Sequence, residues 1–238
     1  MPGLGTIINT AAIVVGGLLG LLFKNLLTKS MEDTLLKASS VCVLFIGIGG
    51  AMQHMLKITD GTLETSGSMM LIICFVLGSI VGELLDIEGA FERFGAWLRK
   101  KTHNESDTGF LSAFIHASLT VCIGAMAIVG SIQDGLLGDS SLLCAKAALD
   151  AVIILVMTAS MGKGSIFSAI PVALLQGSVT LLSRVLAPVF TEAAIANLSY
   201  TGSVMIFCVG LNLVWGKKIK VANLLPTLVF AVLYALVF

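Results

Sequence analysis

The sequence predicts an all-α, polytopic membrane fold of about eight transmembrane helices, and three observations carry that expectation. Of its 238 residues, 57% are hydrophobic and only 12% charged, against roughly 25% charged in ordinary soluble domains. Apolar runs of the ~20 residues that a helix needs to cross a bilayer recur along the whole length, and mean hydropathy is +1.02. The lysines and arginines gather in alternate connections between those runs, as they do in a chain threaded repeatedly through a membrane. No stretch is polar enough and long enough to hold a core of its own, so 1–238 reads as a single transmembrane domain.

The expected spans fall at about 4–23, 35–55, 67–85, 109–129, 141–161, 165–187, 198–216 and 221–238. The first is expected to be a retained span, because its first basic residue, Lys24, follows the apolar run instead of preceding it as in a signal peptide. With eight spans, the connections after the first, third, fifth and seventh share a side. That side holds Lys24, Lys29, Lys37, Arg93, Arg99, Lys100, Lys101, Lys163, Lys217, Lys218 and Lys220, eleven of the 14 Lys and Arg. The positive-inside rule then places both termini outside the cytoplasm.

Within the connector 87–107, Ile87, Ala90, Phe91, Phe94, Trp97 and Leu98 recur at helical spacing. This pattern predicts a short amphipathic helix lying on the cytoplasmic interface, with its basic residues near anionic headgroups. The sequon Asn104-Glu105-Ser106 would then be cytoplasmic and unused.

Two halves of the chain resemble each other. Ser40–Gly47 aligns without a gap on Ser203–Gly210, and the flanking spans pair as one with six and three with eight. Spans one and six start from opposite sides, so the triplets 1–86 and 163–238 would be inverted three-helix repeats flanking the central pair 108–162. Many secondary transporters are built this way. Chance similarity between apolar helices is the competing reading.

The central pair carries the chemistry. Gly124, Gly130, Gly135 and Gly138 divide the segment 124–141 into apolar pieces too short to cross, which predicts a re-entrant or unwound turn between spans four and five. Gln133, Asp134, Asp139 and Ser140 would offer side-chain oxygens there, and Asp139 or Ser140 would cap the next helix. The plainer reading is a solvated external turn. In the fifth span Lys146 and Asp150 stand four residues apart, on one helical face. Each charge costs roughly 2.5–3.5 kcal/mol on insertion scales, so the pair demands a reason. Either it serves as an ion relay or substrate counter-ion lining an aqueous cavity, or it is a strut between helices. Asn9, Gln176 and Asn212 are the polar candidates for lining such a cavity.

Other features exclude more than they assign. Cys42, Cys74, Cys122, Cys144 and Cys208 are isolated in apolar runs without metal or redox spacing. No phosphate loop, nucleophile elbow or catalytic carboxylate pair is present, so an enzyme is not expected. Neither are cofactors, metals or nucleic acid. The pairs Gly16/Gly20 and Gly78/Gly82 permit close helix approach within one subunit or in a homodimer.

With these residues laid out, the chain resembles the YqgA-type family of bacterial inner-membrane proteins, a domain of unknown function, over nearly its full length. The likeness rests on Gly5-Thr6-Ile7-Ile8-Asn9, on Gly16, Gly17 and Gly20, and on Gly82-Glu83. It continues through Asp134-Gly135, Asp139, Ser141, Leu143, Lys146 and Leu149-Asp150, then Pro171, Gln176 and Asn223-Leu224-Leu225-Pro226. The resemblance implies a multi-pass protein of the bacterial inner membrane and carries over no substrate and no residue role. The residues themselves point to a secondary transporter or ion-coupled carrier of a small ion or small polar metabolite. The alternatives are a passive ion channel and a non-transporting structural or sensing membrane protein.

Overall fold

A computed structural model of the chain describes residues 2–237 apart from 25, 27, 60, 106 and 124. Ser106 of the sequon and Gly124, which heads the glycine-divided segment, thus lie outside the described residues. The helices are α1 (Leu4–Lys24), α2 (Lys29–Met55), α3 (Ser68–Leu85), α4 (Ile87–Lys101), α5 (Phe110–Cys122), α6 (Ala125–Leu137), α7 (Ser141–Met161), α8 (Ala169–Leu181), α9 (Ser183–Leu186), α10 (Glu192–Trp215) and α11 (Pro226–Val237). Short 3-10 turns, Lys163–Ser168 and Val221–Leu224, lead into α8 and α11.

Among the described residues, six helices are long and apolar enough to cross a membrane, or seven if one bent pair counts as a span. The eighth expected span is the short stretch Val221–Val237. Pro226 opens α11, and proline suits a first helical position because it has no N–H to give. Here it separates a 3-10 turn from a 12-residue helix, which is shorter than a full crossing.

The fourth expected span departs most. α5 ends at Cys122, α6 follows from Ala125, and their axes differ by 60°. The stretch through Leu137 is therefore helical and not an external turn. Its direction follows from its contacts. At one end the backbone of Phe110 lies against Gly164, in the turn that follows α7 beside Lys24. At the other, Asp134 accepts hydrogen bonds from Gly3 and Gly5 at the start of α1. The pair thus runs from the end of the bundle where α1 finishes to the end where α1 starts.

Two further departures are local. α2 begins at Lys29, capped by the Thr28 hydroxyl, which accepts from Met31 N. Its first turns are polar, with Lys37 paired to Asp33, so they extend beyond the apolar run. After α2, β1 (Leu56–Thr59) and β2 (Thr62–Thr65) form an antiparallel hairpin in the register Leu56↔Thr65 and Thr59↔Thr62. Gly61 supplies the positive φ of its turn.

Three helix pairs pack backbone to backbone at glycines, the usual device where van der Waals contact drives association. A Cβ on Gly16 or Gly20 of α1 would strike the carbonyls of Ala151 and Leu155 in α7. On Gly78 of α3 it would lie 2.5 Å from Thr227 N in α11, and on Gly82 it would strike the Asn223 carbonyl. Both sequence-marked glycine pairs are thus occupied within the chain, and a second copy would have to meet other faces. In the third pair, Gly47 of α2 sits on Phe207 of α10 while Gly210 of α10 sits on Leu44 of α2.

The core forms where α5, α7, α8 and α10 meet, around Phe110, Phe114, Ile154, Val172 and Met205, each fully buried. The surface is inverted relative to that of a soluble protein. Ile7, Phe45, Val152 and Leu181 are 62–86% exposed along the helices, an apolar coat suited to lipid. As the sequence pattern anticipates, α4 is amphipathic, with Leu98 buried and Trp97 outward.

Candidate functional site

Lys146 and Asp150 lie on the inner face of α7, 8% and 3% exposed. The ammonium donates to Asp150 Oδ1 and Oδ2, each at 2.7 Å, and to the main-chain carbonyl of Val121 at 2.8 Å. The third contact follows from the break between α5 and α6. A helix end leaves its last carbonyls without intrahelical donors, and those carbonyls carry the negative end of the helix dipole. Lys146 therefore bridges a carboxylate on its own helix and the C-terminal end of α5. Asn9 completes the group from α1, its Nδ2 donating to Asp150 Oδ2 at 3.0 Å. Asn9 is fully buried and its Oδ1 has no hydrogen-bond partner.

Asp134 is fully buried on α6. Its Oδ2 accepts from Gly3 N at 3.1 Å and Gly5 N at 3.0 Å. Those amides belong to the unpaired N-terminal turn of α1, where a carboxylate is favoured by the dipole. Its Oδ1 has no hydrogen-bond partner.

Gln176 on α8 is 1% exposed, and neither its Oε1 nor its Nε2 has a partner. Leaving such an amide dry costs roughly 1–3 kcal/mol by mutational measures, so the space beside it favours an occupant that hydrogen-bonds. Around it, α8 packs on α1 and α6, the helices that carry Asn9 and Asp134.

The remaining candidates lie elsewhere. Gln133 is half-buried on α6 and Ser140 half-buried beside α7. Asp139 is exposed and caps α7 by accepting from Ser141 N at 2.9 Å. Hydrogen bonds from the Ser141 side chain and backbone hold its carboxyl below the usual carboxylate range. Asn212, a polar candidate for lining the cavity, stands one turn before the end of α10. Its Nδ2 donates to Ile219 O and its Oδ1 accepts from Lys218 N and Ile219 N, so it fastens the loop into the second 3-10 turn.

Two cavities open at opposite ends of the bundle. One, of about 390 Å³, opens among Gly3, Thr6, Gly135, Thr180, Ser183 and Arg184. It reaches α1 at Thr6, three residues before Asn9. The other, of about 260 Å³, lies among Glu88, Glu92, His116, Leu119, Asn212 and Lys217. It reaches α5 at Leu119, two residues before Val121. Lys146, Asp150 and Asn9 line neither cavity.

The second cavity is bordered by a polar network. Glu88 is 5% exposed, accepts from Ala222 N at 3.0 Å and pairs with Lys217 at 3.1 Å. Burial pushes the Lys217 ammonium down, but hydrogen bonds to Glu92 and Glu88 outweigh it and hold the group above its ordinary value. Asn223 donates to Glu83 Oε2 at 2.7 Å, and its Oδ1 accepts from Glu88 N at 2.7 Å. This ties α3, α4 and the turn before α11 together.

Sequence reasoning missed the Val121 carbonyl, which no side-chain pattern reports. It also passed over Thr6 and Thr180, whose buried hydroxyls lack partners. A signal existed for both: they stand three and four residues from Asn9 and Gln176, on the same helical faces. Among the described residues, no group of three or more His, Cys, Asp and Glu could hold a metal ion.

A family model described as "Protein of unknown function (DUF554)" matches residues 4–236. The "Uncharacterized membrane protein YdfK" of Bacillus subtilis (strain 168) is 26% identical over 224 residues, covering 94% of this chain and 92% of the relative. The "Uncharacterized protein YqgA" of Escherichia coli (strain K12) is 25% identical over 235 residues, covering 96% and 94%. No solved structure matches.

Proposed function

The chain belongs to the DUF554 family, and from that premise we propose that this membrane protein is a secondary transporter or ion-coupled carrier. Its cargo would be a small ion or small polar metabolite, moved across the bacterial inner membrane. The observation that carries the reading is the buried, hydrogen-bonded group of Lys146, Asp150 and Asn9 in a bundle with a cavity at each end. A carrier exposes one site alternately to two sides, and such a site lies near mid-membrane between repeats. The buried, unpartnered Gln176 amide on α8, which packs on α1 and α6, supports a polar occupant.

The contacts of α2 with α10 support the inverted-repeat part of this reading. Gly47 and Gly210 are equivalent in the alignment of the two halves, as are Leu44 and Phe207. Each glycine rests on the partner of the other, as a local two-fold axis across antiparallel helices requires. The orientation follows the charges. Lys24, Arg93, Lys163 and Lys217 gather at one end, which we assign to the cytoplasm, leaving both termini outside.

A second reading has its own support. Lys146 is surrounded by acceptors on its own chain, as expected of a strut in a non-transporting protein. Uptake into liposomes separates the two. Native protein and Asp150→Asn, reconstituted at equal folded yield, are compared across a panel of ions and polar metabolites. The carrier reading expects uptake by the native chain and at least a tenfold loss in the variant. Equal fluxes across the panel would refute it.

A further inference from the structure

Resting on the carrier reading, we propose that the cavity beside Asp134 binds a small, dehydrated monovalent cation such as sodium. Its ligands are Asp134 Oδ1 and the hydroxyls of Thr6 and Thr180. All three oxygens are buried and without hydrogen-bond partners, in residues 0%, 7% and 8% exposed. They come from α6, α1 and α8, three helices that pack on one another. Thr6 and Thr180 both line the cavity of about 390 Å³, together with Gly3 and Gly135. Gly3 donates to Asp134 Oδ2, and Gly135 follows Asp134 in sequence. The amides of Gly3 and Gly5 engage only Oδ2, which leaves the other carboxylate oxygen free to coordinate.

The charge count selects the class of ion. One carboxylate with neutral hydroxyl oxygens balances a single positive charge, whereas calcium sites draw on six to eight oxygens, commonly from several carboxylates. Hard oxygen donors also disfavour the softer transition metals. A bare buried acceptor excluded from bulk water costs free energy when empty, so an ion there stabilises the closed packing of α1 on α6 and α8. Asn9 and Gln176 stand one helical turn deeper, so the ion would sit between the cavity mouth and the Lys146–Asp150 pair.

Thermal unfolding of the purified full-length protein tests this, with NaCl, LiCl, KCl or choline chloride at constant ionic strength and sodium gluconate as a further arm. The midpoint is expected to rise saturably with sodium, by about 3 °C once sodium exceeds its Kd tenfold. The rise should persist in gluconate and in Asp150→Asn, and vanish in Asp134→Asn and Thr180→Val. If Asp134→Asn fails to fold, Thr180→Val carries the same comparison. Equal midpoints in sodium and choline would overturn the proposal. So would an effect that follows chloride, which would point to the Arg184 rim of the cavity. Lost uptake in Asp150→Asn without any sodium shift would remove the cation site and leave the carrier. A sodium shift in a protein with no uptake would do the reverse.

Discussion

At Lys146, two charges and a helix end neutralise one another within the space of three hydrogen bonds. Removing a single member of a buried pair leaves the other charge uncompensated, at about 3–5 kcal/mol. Lys146→Met should therefore lower unfolding stability in detergent micelles by that order, while Lys146→Met combined with Asp150→Leu should recover most of the loss. A double variant as unstable as the single one would mean that the cost arises elsewhere. Much of this group was legible beforehand. Four-residue spacing announced the ion pair, and Asn9 stood out as an amide in an apolar run. What could not be read were the partners. Asp134 looks the same in sequence whether it faces water or caps α1 from another helix, because Gly3 and Gly5 become its donors only through the tertiary fold.

Glycine is where the helices were hardest to read. The residues Gly130 and Gly135 look like breaks, yet both lie inside α6, where they admit neighbours. A Cβ on Gly130 would lie 2.9 Å from the Leu143 side chain, and one on Gly135 2.5 Å from the Thr180 carbonyl. Sequence registers the missing side chain and does not say whether a turn or a close approach requires it. The same distinction predicts opposite outcomes two residues apart on α2. Gly47→Ala would press on Phe207 N at 2.5 Å, whereas a Cβ on Gly49 meets no atom within 4 Å. Gly47→Ala should destabilise by about 1–3 kcal/mol through overpacking, and Gly49→Ala should be neutral or stabilising by up to ~1 kcal/mol through helix propensity. Thermal unfolding of the two variants side by side decides it.

For the molecule as a whole, the order of apolar segments was readable because bilayer thickness fixes helix length and little else competes with it. The hairpin of β1 and β2 was not, since four residues of alternation are too few to register as a strand. It also supplies a marker for sidedness. In a variant lacking the five native cysteines, Ile58→Cys in the hairpin and Lys101→Cys at the end of α4 should react with membrane-impermeant thiol reagents from opposite faces of intact cells. Only the first should label from outside, and labelling of both from the same face would refute the assigned orientation. The bend between α5 and α6 has a different consequence, for anyone reading variants of this protein. The atom that Lys146 meets on α5 is a peptide oxygen, which every amino acid at position 121 supplies. Scanning α5 side by side with alanine would pass over Val121 as one more apolar position, and natural drift at that position is equally free. The contact is inherited through the backbone path rather than through a residue, so it is secured by whatever keeps the helix broken after Cys122.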